Sequence, residues 1–439
     1  MTYFNKKNSG NIASELIRFS LPLILSGILQ QLYSWADAFI VGNVEGEQAL
    51  AAIGATGTLN NFALSLITGF TVGLAILFAQ KFGAKELDFI PRGLGLFSIL
   101  LGGIVVVLAG AGMILTMPLL ELMETPPDTI ARAAQYLKLI FAGLPFLAVY
   151  NVYSAALRGV GDSQAPFLAV FVSSAVNVVL DIVFVAVLHL GVAGAAAATV
   201  FSQAAMTVFM GIYAVKKHPL LRFRPNRALF DVNILKQGAR LGIPPMIQSS
   251  VNGFGGLLLQ NFMNGFGTQT VAAVTTVYRI DSIILLPIVN LGSGISTLTA
   301  QSHGAGDKKR AGKIFAVGMA VMTVVSLLLT VLIFLAGAPL VALFGVSEAV
   351  VVFGEAFFRG LALFYPVFGL ATAVRSYLEG IGDVSYSSAI GIITLAVRIA
   401  GSYALADVFG NMVIAYAEAI AWGLMLVLYV LRAYQKRRK

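Results

Sequence analysis

The chain has 439 residues, 58% of them hydrophobic and only 11% charged, with 29 Lys and Arg against 20 Asp and Glu for a net charge of +9. Soluble domains carry roughly 25% charged residues, so this composition excludes an ordinary water-soluble globule and points to a bilayer. The absence of cysteine excludes disulfides and thiolate metal sites.

Along the chain, Met1–Ser20 has no separate apolar core ending in a small-residue cleavage site, so the first span is expected to be retained. Stretches long enough to cross about 30 Å of hydrocarbon are expected near residues 16–40, 52–80, 93–117, 134–155, 165–187 and 192–215. A second set is expected near 237–262, 271–300, 312–336, 357–379, 386–406 and 411–433. The two sets repeat one another. Arg18-Phe-Ser-Leu-Pro22 returns as Arg240-Leu-Gly-Ile-Pro244, and Ala79-Gln80-Lys-Phe-Gly83 as Ala300-Gln301-Ser-His-Gly304. Arg158-Gly-Val-Gly161-Asp162 returns as Glu379-Gly-Ile-Gly382-Asp383, each pair 221 or 222 positions apart. Such a period is too long for a solenoid and fits a duplicated membrane half. The expected fold is an all-α polytopic membrane protein of twelve transmembrane helices in two pseudo-symmetric six-helix lobes, residues 1–220 and 221–439.

An even number of spans per half makes the halves parallel, and charge sets their direction. The long loop from Lys216 to Arg240 carries Lys216, Lys217, Arg222, Arg224, Arg227, Lys236 and Arg240, and the tail adds Arg432, Lys436, Arg437, Arg438 and Lys439. The opposite loops are acidic or neutral, with Glu45, Glu47, Glu121, Glu124 and Asp128. The positive-inside rule places both termini in the cytoplasm, with the protein multi-pass in the plasma (inner) membrane. The basic residues flank hydrophobic spans, so they report topology and contact with anionic membrane lipids rather than nucleic acid.

Enzyme chemistry is not expected. The nearest approach to a phosphate loop, Gly306 to Ile314, has the wrong glycine spacing and Ile314 where Ser or Thr should hold magnesium. His189, His218 and His303 fall in loops or at span ends, and the turns 158–162 and 379–383 read as helix–helix turns rather than nucleotide sites. No cofactor is expected.

Charges inside the membrane are costly and mark function. Asp37 lies in span one, where Gln30, Tyr33 and Asp37 form a polar stripe; Asn177 and Asp181 share one face of span five. Neither burial nor a like charge favours ionising both carboxylates, so the site suits a proton or a small cation. Sodium could be held by Asp37, Asn177, Asp181 and a hydroxyl from Thr199, because hard cations take oxygen ligands. The duplicate positions read Leu259, Arg398, Ser402 and Glu418: the scaffold repeats while the polar chemistry diverges. Arg375, Arg398 and Glu418 are taken as the intramembrane charges of the second half, with an Arg398–Glu418 ion pair expected.

These motifs resemble the multidrug and toxic compound extrusion (MATE) family from about residue 12 to 433. The resemblance rests on Leu21-Pro22, Trp35-Ala-Asp37 with Val41-Gly42, and Ala79-Gln80-Lys-Phe-Gly83. It rests further on Ala156 to Asp162, Asn177-Val-Val-Leu-Asp181 and Gly191-Val-Ala-Gly194-Ala. It implies two six-helix lobes that alternate access and export amphipathic, often cationic, small molecules against sodium or protons. It also implies a first-lobe cation site at Asp37, Tyr136, Asn177, Asp181 and Thr199, with Pro22 at a helix bend. Other members carry acidic residues in spans seven and ten; here those spans offer Gln248, Asn252 and Arg375, so no second-lobe cation site is expected. Candidates for contact with the substrate are Gln30, Tyr33, Tyr150, Asn151, Tyr153, Gln248 and Asn252, since aromatic faces attract planar cations. A monomer is expected. The alternative reading is a lipid or lipid-linked glycan flippase, which would need a strongly cationic cavity and for which Arg375 and Arg398 are the candidates.

Overall fold

A computed structural model describes residues 11–222 and 231–438. Arg224, Arg227, Lys439 and the first ten residues lie outside it. Hydrocarbon offers no hydrogen bonds to a bare backbone, so the apolar stretches close their amide bonds internally as helices. In the first half these are α1 (Ile12–Glu45), α2 (Glu47–Gly83), α3 (Phe89–Leu122), α4 (Ile130–Gly159), α5 (Gln164–Asp181) and α6 (Gly191–Lys217). The second half has α7 (Val232–Asn264), α8 (Thr268–Ile284), α9 (Leu286–Gly304), α10 (Lys308–Ala342), α11 (Glu348–Ala362) and α12 (Tyr365–Gly380). It ends with α13 (Val384–Ala404), the short α14 (Ala406–Phe409) and α15 (Val413–Arg438).

With α8–α9 and α11–α12 each taken as one interrupted span, the described helices fall into the expected six plus six. Ten spans are long and apolar enough to cross a membrane, α8–α9 among them, and the bent pair α11–α12 makes an eleventh. The twelfth, α7, is long enough but carries Gln248, Ser249, Ser250, Asn252, Gln260 and Asn261 within its apolar stretch. Each interruption is followed by a proline. Pro287 and Pro366 stand in the first turn of α9 and α12, where the missing N–H is harmless. The axes of α11 and α12 differ by 43°.

The repeat holds at single hydrogen bonds. Gly161 (φ +95°) and Gly382 (φ +91°) adopt the left-handed conformation that glycine takes without strain. Asp162 N–H then reaches back to Leu157 O (2.8 Å) and Asp383 N–H to Leu378 O (2.9 Å). Both segments are therefore the helix–helix turns expected.

Two compact units emerge: Leu25–Met246, and the described residues on either side of that interval. These boundaries differ from the division at 220/221, because α1 and α7 each begin in one unit and continue in the other. Within the first unit, α7 crosses α2 so closely that a Cβ on Gly73 would stand 2.0 Å from the Leu241 carbonyl oxygen. Within the second, α1 crosses α9, where a Cβ on Gly294 would stand 2.4 Å from Ser20 Oγ. Arg310 on α10 also grips Glu15 on α1 at 2.9 Å. Each unit has its own apolar core: Leu120, Leu137, Phe141 and Leu144 in the first, and Val277, Phe357, Phe358, Tyr365 and Trp422 in the second.

Candidate functional site

The first-half candidates come from four helices that share one apolar cluster. Val41, Tyr136, Val185, Val192, Ala195 and Ala196 pack together with Ile40 and Ile53. Asp37 lies one turn before Val41 and Thr199 one turn beyond Ala195, residues four apart sharing an α-helix face, while Asp181 stands at the end of α5 just ahead of Val185. The cluster therefore draws Asp37, Tyr136, Asp181 and Thr199 towards one place from α1, α4, α5 and α6. Helix α5 gives way at Asp181 to a π-helical turn, Ile182–Val187, in which Leu188 N–H bonds Val183 O at 2.9 Å. Such turns occur often at functional sites.

Burial is severe. Asn177 is 1% and Asp181 0% exposed. Asp37 Oδ1, both polar atoms of Asn177 and both carboxylate oxygens of Asp181 are buried without a hydrogen-bond partner. Asp37 and Asp181 stand close enough to act on each other electrostatically, and Tyr136 stands near both. Two carboxylates offer each other no donor, and neither burial nor a like charge favours ionising both. Among the described residues, no Lys or Arg forms a salt bridge with either. Thr199 donates to Ala195 O (3.1 Å), which leaves its oxygen lone pairs available.

The substrate-contact candidates separate. In the first unit, Gln30 is exposed, Tyr33 and Tyr153 are half-buried, Tyr150 is buried, and Asn151 donates to Leu147 O at 2.8 Å. In the second, Asn252 is exposed, whereas Gln248 is buried and accepts from Arg375 at 3.1 Å. Gln248 lies directly over Gly391, where a Cβ would meet its Nε2 at 1.8 Å.

The second half has polar chemistry of a different kind. The expected Arg398–Glu418 ion pair is present at 2.8 Å, and Tyr278 also donates to Glu418 at 2.9 Å. Arg375 pairs with Glu379 at 2.6 Å. The set of intramembrane charges expected from the sequence was too small: Asp281, 6% exposed, lies inside the expected eighth span and accepts a hydrogen bond from Tyr365. The sequence signal for it was a carboxylate six residues before Pro287 in an apolar stretch. It has no counterpart in the first-half pattern, because Asn60 stands 221 positions earlier.

Two repeated membrane halves, interrupted helices and buried carboxylates without cationic partners together point to a membrane transporter. Comparison with known proteins agrees. The family model MatE matches residues 22–183 and 244–404, the two halves of the repeat. The chain is 31% identical over 374 residues to "Probable multidrug resistance protein YpnP" of Bacillus subtilis, covering 85% of this chain and 83% of that protein. It is 24% identical to "Multidrug export protein MepA" of Staphylococcus aureus, covering 98% and 96%. Its fold matches a MOP superfamily transporter from Pyrococcus furiosus with a TM-score of 0.91 at 22% identity, covering 97% and 96%. It also matches the MATE transporter VcmN of Vibrio cholerae with a TM-score of 0.90 at 18% identity, covering 97% of each chain. The chain belongs to the MATE family of membrane transporters.

Proposed function

We propose that this transporter is a multidrug exporter, an antiporter that moves amphipathic, often cationic, organic compounds out of the cell while sodium or protons enter through the Asp37–Asp181 site. The observation that carries this reading is the set of buried, unpartnered oxygens on Asp37, Asn177 and Asp181. Such oxygens fit a hard monovalent cation or a shared proton. The names of relatives, multidrug resistance and multidrug export, support the substrate class. Asp37, Tyr136, Asn177, Asp181 and Thr199 would hold the coupling ion, and Gln30, Tyr33, Tyr150, Asn151 and Tyr153 would contact substrate. Antiport follows if ion and substrate favour opposite facing states, since a ligand shifts a conformational equilibrium only through its differential affinity.

The flippase reading is not favoured. The two arginines that would make a cationic cavity are neutralised, Arg375 by Glu379 and Arg398 by Glu418.

Reconstituted proteoliposomes with an imposed sodium or pH gradient, challenged with a panel of cationic dyes, test the proposal. Dye movement driven by one gradient and abolished by its collapse is expected. Movement indifferent to both gradients would overturn it.

A further inference from the structure

The first half contains a cation that no acid of the described chain answers. Arg158 stands in the last turn of α4 and is half-buried. Its Nε is buried without a hydrogen-bond partner, and among the described residues its guanidinium forms no salt bridge. Side chains on a helix lean towards its earlier turns. The ionisable group beside Arg158 is accordingly Tyr150, two turns back along α4 and next to Ser154. Tyr150 and Ser154 are each 6% exposed.

The acids nearby in the chain are committed elsewhere. Asp162 accepts from His218, Tyr213 and the amides of Gln164 and Ala165. Gly159 seats this end of α4 on α2, where a Cβ would stand 2.6 Å from Phe78 Cβ. The acid just beyond α2, Glu86, pairs with Lys81 at 2.6 Å. The duplicate shows the same place in balance. Ser154 and Arg158 return 221 positions later as Arg375 and Glu379. Those two pair at 2.6 Å, and Gln248 accepts from the same arginine at 3.1 Å. The second half thus supplies a cation and an anion, whereas the first supplies a cation and a hydroxyl. A buried charge left without its counter-charge is costly.

We propose that Arg158 is a binding site for an oxyanion, the carboxylate or phosphate group of an amphiphile, which takes the part that Glu379 plays in the second half. The planar guanidinium presents paired N–H donors that match the two oxygens of such a group. The Tyr150 ring beside it offers an apolar surface to the body of the same molecule. This site takes a charge opposite to that drawn by Asp37 and Asp181, and it does not depend on which ion couples transport.

The test reads binding directly, on the purified full chain in a neutral detergent at fixed ionic strength, so that transport does not enter. Inorganic phosphate and hexanoate probe soluble oxyanions, short-chain phosphatidylglycerol probes a lipid headgroup, and short-chain diacylglycerol is the uncharged control. A saturable rise in melting temperature of about 2 °C or more is expected with an oxyanion probe and not with the control. A rise with phosphatidylglycerol alone assigns the site to a lipid headgroup; a rise with phosphate or hexanoate assigns it to soluble amphiphiles. Arg158→Gln should abolish the response. Ser154→Glu should abolish it too and raise the melting temperature without any probe, because it rebuilds an ion pair four residues apart. No rise with any of the three oxyanion probes would overturn the proposal, as would a rise unchanged in Arg158→Gln. If Arg158→Gln does not fold, a full response in Ser154→Glu overturns it equally.

Discussion

Gly73 and Gly294 stand 221 positions apart and perform one task twice: each lies under a helix that has crossed from its own half of the sequence. Gly73 supports Leu241 and Gly242 at the start of α7, and Gly294 supports Leu16 and Ser20 at the start of α1. Small residues allow helices to approach this closely in membranes. Gly73→Ala would force a methyl against a backbone carbonyl that no rotamer change can move. A loss of about 1–3 kcal/mol is expected from such overpacking, read as a lower melting temperature of the detergent-solubilised protein. Gly54→Ala is the control, since nothing lies within 4 Å of its Cβ; equal melting temperatures for the two variants would contradict the crossing.

Asp37→Asn should bring gradient-driven dye efflux to background at normal expression, because the amide keeps the shape but cannot carry the charge change. Asp181→Asn should do the same. Since the two acids act on one another electrostatically, the double variant should lose little beyond either single change if they share one ion, residues that share a partner being non-additive. Independent losses would mean two separate sites.

The Arg398–Glu418 pair should be far more sensitive to one change than to two. Glu418→Gln takes away the carboxylate that Arg398 bonds and should cost up to about 3–5 kcal/mol, whereas replacing both residues with methionine should cost much less. Thermal unfolding of the three proteins separates these outcomes. Its partner Tyr278 makes a milder case: Tyr278→Phe removes one donor from Glu418 and should cost about 1.5–3 kcal/mol, the range for bonds to charged groups.

Outside the membrane, Asp162 ties the turn after α4 to the end of α6. It accepts from His218 at 2.7 Å, from Tyr213 at 3.1 Å and from the amides of Gln164 and Ala165. Partial burial disfavours its charged form, but the bonds from His218, the Ala165 amide and Tyr213 outweigh it and hold the carboxyl below the usual carboxylate range. A depressed acid stabilises the fold fully above its unfolded value of about 3.9 and loses that contribution as pH falls through the lower folded value. Asp162→Asn should therefore cost about 1 kcal/mol near neutral pH through the lost bonds to a charged acceptor, and the difference in melting temperature should shrink only in strong acid. A difference that vanishes already near pH 6 would contradict the assignment.

Both termini should be reached only from the cytoplasm, given the basic residues that flank the inter-half linker and the tail. Protease-cleavable tags at each end, probed in intact cells and inverted vesicles, check this; a tag cut from outside intact cells would break the even span count.

The plan is legible along the chain. Twelve apolar stretches, the 221-residue repeat, the paired glycine turns and the acids of spans one and five are all one-dimensional patterns, set by hydrocarbon thickness and by which side chains a membrane rejects. The Arg398–Glu418 pair is legible there too, because adjacent spans bring facing charges together. What depends on contacts between distant segments emerges only when the chain is folded. The starts of α1 and α7 pack into the opposite units because Gly294 and Gly73 clear space there, and a missing side chain does not announce its neighbour. Arg375 proved neutral in effect because Glu379 and Gln248 meet it. Asp281 passed unnoticed because the repeat draws attention to positions with a first-half equivalent. Its partner, Tyr365, lies 84 positions away, reached only when two proline-broken helices are folded against each other.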